Sequence, residues 1–467
     1  MGSTIMKKII RLQIENPKSL DPIYGIDTVS GDIINACYDR LFHFENDHFE
    51  PLLLEEYFSN GRSIYCKLKK EVLFSNNKEC TSDHVVTSLK RCITKCEKIK
   101  TYIHEDIHTT DIQRVDSHVL KINTKMQLKD FVKIFSSNAT SIVNLIDYNE
   151  NFFKRNTCGT GPYVFSSYKN NTLRLIKHLN WWGKEELLDE IVIISNYNYE
   201  ILKRMFLEGE ADIMYALPSD VGSFINKRNI RVEYFPSLDT CCFVLNQASG
   251  RLRDYELRRF ICNIVNKKEI VDSIHRENIY DLNCVIPAGL GYSYNKCNGS
   301  IFDSGKMMCK TTNDDKPIKI LSVNGLNDAE VMCQNLKEQL YKYGINSHIC
   351  SLDFNSYCDE FDKGKFDIAF LSWAVDIVDP IGYLYDFYHS KGEVSRAIRY
   401  NNKKIDQMIE SNKSNNFDSI IQKAESEHLY IWLYQGNNLK IYKNRIIKLK
   451  HSLMDGDYSF RHIRVKS

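Results

Sequence analysis

The chain of 467 residues has room for about two to four compact units at about 100–200 residues each. Its 43% hydrophobic and 26% charged residues exclude a largely disordered chain. With 62 Lys and Arg against 60 Asp and Glu the formal charge is only +2, so no global positive excess draws it to phosphate backbones and nucleic acid is excluded as a first-choice partner.

After Lys7 and Lys8, the run Ile-Ile-Arg-Leu-Gln-Ile-Glu-Asn-Pro alternates like a strand. It lacks the apolar stretch and small-residue cleavage site of a secretory signal. Asp27-Thr28-Val29-Ser30 predicts a helix start, and Val29, Ile33, Cys37 and Leu41, spaced by four, line one face of it. Leu41 to Phe44 and Phe49 flank Glu45-Asn46-Asp47, a hairpin turn. Thr81-Ser82-Asp83 opens a second helix with Val85, Leu89, Cys92 and Ile93 as its buried stripe. Strands follow at Thr109 to Ile112 and Val119 to Asn123. The polar stretch Thr311 to Pro317 reads as a connecting loop. Beyond it lies the clearest local unit: a strand from Ile318 to Val323, a helix from Asp328 to Tyr343 ended by Gly344, a strand from Ile345, and a strand from Phe366 to Phe370. Met332, Leu336, Leu340 and Tyr343 give this helix its sheet-facing stripe. Strands alternate with amphipathic helices from end to end, which is the α/β pattern. The longest apolar runs, such as Ile368 to Val375, stop well short of the roughly 20 residues of a membrane span.

Several patterns invite a chemical reading. His104-Glu105-Asp106-Ile107-His108 has the form HExxH, which binds zinc only when both histidines face one metal from a continuous helix. Strands begin directly after it and no third ligand is marked, so no metal is assigned. His43 and His48 straddle a hairpin without a third ligand and read as surface residues. Gly159-Thr160-Gly161-Pro162 reads as a tight turn, since Pro162 has no N–H to offer a phosphate. The mixed-sign run from Arg251 to Arg259 reads as a solvated helix face, and Trp181-Trp182 as packing. The 15 cysteines form no CxxC pair and no dense cluster. Cys92, Cys96, Cys241 and Cys242 read as small apolar core residues, and so many thiols favour a reducing compartment.

Taken in order, the elements resemble the solute-binding proteins of family 5, the oligopeptide-, dipeptide- and nickel-binding receptors of ABC importers. The resemblance begins with Ser19-Leu20-Asp21-Pro22 and Tyr38-Asp39-Arg40-Leu41, then the strand-like Leu68 to Ser75 and the helix from Thr81 to Ser88. It continues through Gly159-Thr160-Gly161-Pro162-Tyr163, Asn180-Trp181-Trp182-Gly183, Glu208 to Ile213 and Phe243-Val244-Leu245-Asn246. Tyr343-Gly344-Ile345, Phe366 to Ala369, Trp373 to Pro380, and Asn401 to Asp406 complete it.

The resemblance implies a two-lobed, periplasmic-binding-protein-like α/β fold (type II, Venus-flytrap) with a hinge near Asn246 and Trp432. One lobe would comprise residues 1–245 with 433–467 returning to it, the other residues 246–432. It implies a receptor that encloses a peptide, with permease subunits of an importer as partners, in a monomer without nucleic acid, cofactor or membrane span. Asp376 stands where the family's peptide receptors pair an aspartate with the ligand's ammonium, and the alternative for Asp376 and Asp379 is to cap the helix near Pro380. Ser372, Trp373 and Ala374 would pair their backbone with the peptide, and Trp373 would wall a side-chain pocket or join the core. Asp27 and Thr28 align with a cleft-lining segment of the other lobe. No catalytic or metal residue is implied. The alternatives are a cytosolic member of the fold that binds or modifies intracellular peptides, and a nickel-chelate receptor. A removed signal would place the chain at the cell surface or in the periplasm; the thiols and missing signal, taken at face value, place it in the cytoplasm.

Overall fold

The computed structural model describes residues 7–25, 27–45, 48–103, 106–196, 198–215, 218–225, 227–274, 279–290, 316–374, 379–411, 417–450 and 459–466. Its backbone is one eleven-stranded sheet organised around two long antiparallel strands, Ile230–Leu245 and Tyr430–Lys443. They pair from Ile230 opposite Lys443 to Val244 opposite Tyr430, with the register broken between Pro236 and Thr240 and again between Cys241 and Cys242. Pro236 has no N–H to give a ladder, so the break falls where pairing is weakest.

On one side of that break, Tyr430–Lys443 pairs with Ile213–Tyr215. Next come the parallel strands Lys8–Gln13 and Glu190–Ser195, then the antiparallel Thr172–Lys177 and Tyr163–Lys169. On the other side, Ile230–Leu245 pairs antiparallel with Ile368–Trp373, which runs parallel to Ile318–Val323 and, at the sheet's edge, Ser347–Leu352. The fold is a two-lobed α/β one, as the sequence predicts.

Alternation along each strand sorts side chains to the two faces of the sheet. Cys241, Phe243 and Leu245 enter one buried cluster with Ile368 and Phe370, under the helix Asn327–Lys342. Cys242 and Val244 enter another with Ala369 and Leu371, covered by the helices Phe354–Asp362 and Pro380–Tyr388. Around the other half of the sheet, Ile9, Ile213 and Tyr442 join a large cluster that takes in the helices Thr28–Cys37 and Ser82–Lys95. That cluster also contains a four-stranded antiparallel sheet of Leu54–Asn60, Ser63–Leu68, Val119–Asn123 and Ile112–Arg114. Leu12, Met214 and Ile441 point to the opposite face with the helix Tyr199–Glu208.

The helices begin where their caps predict. Asp27 caps Thr28–Cys37, and Thr81 opens Ser82–Lys95. Gly344, at φ +75°, ends Asn327–Lys342 in the left-handed conformation that glycine adopts without strain.

Several local expectations fail. Thr109 to Asp111 form a turn, and the strand there begins only at Ile112. Residues 68–75 are not a strand: the strand ends at Leu68, Glu71 turns the chain at φ +60°, and a single bridge joins Leu73 to Glu79. Tyr343 is exposed beyond the last helical turn, its ring centre 6.0 Å from that of Phe260. Arg258 is buried, donating to the carbonyls of Leu252 and Glu427 instead of facing water. Trp432 packs in a buried cluster with Phe387 and Tyr430, and Asn246 donates to Gly364 O and Phe366 O.

Candidate ligand-binding site

The strand Ile368–Trp373 is buried through Leu371 and emerges at its C-terminal end, where Ser372 and Ala374 are exposed and Trp373 is half-buried. Trp373 is held from two directions. Its carbonyl accepts from Thr240 Oγ1 at 3.1 Å, and its indole Nε1 donates to Asp386 Oδ2 at 3.0 Å. Ser372 Oγ accepts from Cys241 Sγ at 3.5 Å. Asp376 lies outside the described residues. Asp379 takes the capping role, accepting from Ile381 N at 3.0 Å with Pro380 in the first turn.

Asp27 spends its carboxylate on local structure, accepting from Ser30 N (2.9 Å), Ser30 Oγ (2.6 Å) and Lys18 N (3.1 Å). Thr28 beside it is exposed. The side chain of Lys18 reaches the other half of the molecule, its Nζ 5.7 Å from the ring centre of Phe354. Burial works against the Lys18 charge, but Cys358, Asp27 and Asp362 outweigh it and hold its pKa above the ordinary value. Asp27 and Thr28 therefore stand beside a place where the two halves meet.

A second meeting place carries ion pairs that no local sequence pattern announces. Lys98, on the helix Glu97–Ile103, donates to Asp386 Oδ2 at 3.0 Å, and Lys133, on the helix Leu128–Ile134, donates to Asp379 Oδ2 at 2.6 Å. Both carboxylates belong to one element, the helix Pro380–Tyr388 with its cap. Between them the rings of Tyr102 and Tyr385 lie 6.3 Å apart.

The motifs that carry the resemblance converge elsewhere. Asp39, fully buried, accepts from Thr160 Oγ1 and Trp182 Nε1, each at 3.0 Å, and from Arg461 at 2.9 Å. Three separated motifs thus meet on one carboxylate. A Cβ added to Gly161 would sit 2.6 Å from Ala36 O, and one on Gly159 would sit 2.1 Å from Cys37 O. The glycines therefore serve close approach to the end of the helix Thr28–Cys37 and not phosphate binding. Asp21 is paired with buried Arg91, and Asp212 accepts from Ile10 N at 2.8 Å and binds Arg445. These residues hold the scaffold.

Of the HExxH motif, His104 and Glu105 lie outside the described residues. The helix before it ends at Ile103, and His108 follows in a turn held by Asp111. Among the described residues, no group of three or more His, Cys, Asp or Glu is placed to hold a metal ion. His43 departs from its expected surface position: its side chain is only 13% exposed, with Glu45 at 3.4 Å and Glu50 at 3.7 Å. Burial, with Arg461 and Arg40 nearby, pushes its pKa down to about 3. It borders a cavity of about 20 Å³ with Arg40, Lys450 and Arg461, a volume suited to a single water and not to a peptide. The nine buried cysteines among those described behave as core residues, and burial pushes the thiols of Cys37 and Cys66 up to about 12. Among the described residues no helix is long and apolar enough to cross a membrane.

Comparison with known proteins places this architecture. The Dipeptide-binding protein DppE of Bacillus subtilis (strain 168) is 21% identical over 96% of this chain and 87% of that protein. The crystal structure of a dipeptide binding protein from Pseudoalteromonas sp. SM9913 in complex with Met-Leu superposes with a TM-score of 0.85 at 18% identity, covering 98% of this chain and 100% of that one. NikA from Staphylococcus aureus in complex with Ni(L-His)2 also gives 0.85 at 18% identity, with the same coverage of 98% and 100%. The family model described as "Bacterial extracellular solute-binding proteins, family 5 Middle" matches residues 48–395. The chain belongs to the bacterial extracellular solute-binding proteins of family 5.

Proposed function

We propose that this protein is the substrate-binding receptor of an ABC importer and that it encloses a peptide between its two lobes. The observation that carries the reading is likeness over nearly the full length to a dipeptide-binding relative and to a structure holding Met-Leu. The fold supplies the means, because one sheet runs through both lobes by way of two long strands. A ligand that touches both lobes only when they are closed shifts the population toward closure, and no chemistry on the ligand is needed. The lobes in this reading are residues 1–245 with 433–467, and 246–432. The packing of 241–245 and 430–434 with the second lobe supports a crossing nearer 236–240 and 435–437. Permease subunits are the partners that would take up the released peptide.

Within the cleft, the ladder from Ile368–Trp373 to Ile318–Val323 runs through Ile320 opposite Ile368 and Leu321 opposite Ala369. This supports a role for the backbone of 372–374 in pairing with an extended peptide, which tolerates varied side chains. Asp376 is the residue proposed to meet the peptide's ammonium, since a carboxylate withdrawn from water needs a cation. Trp373 walls the adjoining pocket, and Thr28, with Asp27 holding its helix start, lines the opposite lobe.

The test is calorimetry with Ala-Ala-Ala and with its N-acetylated form, on the native protein and on Asp376→Ala. Loss of a charge-assisted pair weakens the free-amino peptide about tenfold or more in the variant, and acetylation produces a similar loss in the native protein. Equal binding of the free-amino peptide by both proteins would show that Asp376 does not hold the ammonium.

A further inference from the structure

We propose that Asp386 is a positioning residue that couples closure of the lobes to the ligand-facing Trp373. It stands on the helix Pro380–Tyr388 and is fully buried. One oxygen, Oδ2, accepts at 3.0 Å from Trp373 Nε1 in its own lobe and at 3.0 Å from Lys98 Nζ of the other. Lys98 is itself only 11% exposed, so the pair is shielded from solvent and weakly screened by salt.

The consequence is thermodynamic. When the lobes separate, Lys98 leaves, and the buried carboxylate that bridged it to the indole must rehydrate or shift toward its remaining partners. Either response changes the surroundings of Trp373. Conversely, whatever fixes the indole in its closed-state position favours the arrangement in which Lys98 can return. The two equilibria are therefore linked, and linkage acts equally in both directions.

The rest of the contact supports the assignment. The same helix is gripped at its start by Lys133 on Asp379, and between the two ion pairs Tyr385 packs beside Tyr102. Burial raises the Tyr385 hydroxyl above its ordinary pKa, so it stays neutral at this contact. One short helix of the second lobe is thus clasped by two short helices of the first, Glu97–Ile103 and Leu128–Ile134, which also pack on each other. Only the statement that Trp373 faces the ligand rests on the function proposed above; the clasp itself does not depend on what the ligand is.

The test uses the full-length protein freed of ligand by dialysis, as native chain, Lys98→Met, Asp386→Asn and the double variant. Small-angle X-ray scattering reads the ratio of compact to open forms. The fluorescence difference between each protein and its counterpart carrying Trp373→Phe isolates the emission of Trp373. The expected result is that Lys98→Met lowers the compact-to-open ratio about tenfold or more and shifts Trp373 emission to the red. The double variant goes no further than the more affected single one.

A purely structural Asp386 would leave Trp373 emission unmoved in Lys98→Met. That result, or an unchanged compact-to-open ratio in the same variant, overturns the proposal. If Asp386→Asn fails to fold by circular dichroism, Lys98→Met alone decides. Because neither readout uses ligand, a failure here is separate from a failure of peptide binding in calorimetry.

Discussion

Asp39 accepts from Thr160, Trp182 and Arg461 in a site closed to water, so residues drawn from three stretches of chain depend on one carboxylate. At this scale the sequence motifs are legible as a set without their purpose being legible. Nothing in Tyr38-Asp39-Arg40-Leu41 says that its aspartate meets an indole far along the chain. His43 illustrates the opposite case, a residue read as exposed because a hairpin places it there, yet buried by the return of the chain at Arg461. Its pKa near 3, against an ordinary value of 6.5, has a defined sign. As pH falls through 6.5 the unfolded chain takes up a proton that folded His43 refuses until about pH 3, so stability is lost across that window and is complete above it. The loss reaches about 2 kcal/mol by pH 5, from a gap of about 1.5 pH units at about 1.4 kcal/mol each. Burial lowers His84 and His178 in the same direction, and Glu45, held below its ordinary value by His462 and Lys450 against its burial, adds to acid sensitivity below pH 4.5. Urea melts between pH 5 and 8 should show a shallower acid loss for His43→Gln than for the native chain. Parallel curves would mean that His43 is protonated in the fold.

Elements with a local cause were readable. Caps at Asp27 and Thr81, apolar stripes four apart and Gly344 locate helices because each signal lies within the element it controls. The failures share a different origin. The strand that the resemblance implies at 68–75 does not form, because Lys69 N is taken by Leu53 O and Cys80 N by Val72 O, which close a turn that the motif alone does not contain. Tyr343 continues an apolar spacing past the last residue that the helix can bury. The glycine turn at 159–161 makes a direct prediction about packing between elements. The atoms that a Gly161 Cβ would meet, Ala36 O at 2.6 Å and Cys37 C at 2.6 Å, are backbone and cannot rotate away. Gly161→Ala should therefore destabilise by about 1–3 kcal/mol or prevent folding. Gly209→Ala is the informative companion: it has no neighbour within 4 Å of the added Cβ, but it sits at φ +89°, so its cost is backbone strain and not collision. Chemical denaturation that found Gly161→Ala as stable as the native protein would remove the close approach from the account.

For the whole molecule, the α/β class and the two-lobed arrangement were readable because the order of many weak motifs agrees over most of the chain. The register break between Pro236 and Thr240 was not, because it depends on how two strands far apart in sequence pair. The same limit hid Lys98 and Lys133, whose partners lie 288 and 246 residues away, beyond the reach of any periodic signal. Of the candidate residues, Ser372, Trp373 and Ala374 emerge together at a strand end, and the Asp27 carboxylate caps its own helix. The proposal that the lobes enclose a peptide with a free amino end is the central one. Mass spectrometry of the material released from the purified protein by mild acid tests this most directly. The account predicts short peptides with unblocked N-termini, in amounts approaching one per chain; release of a nickel chelate or another non-peptide compound at that stoichiometry, with no peptide, would contradict it.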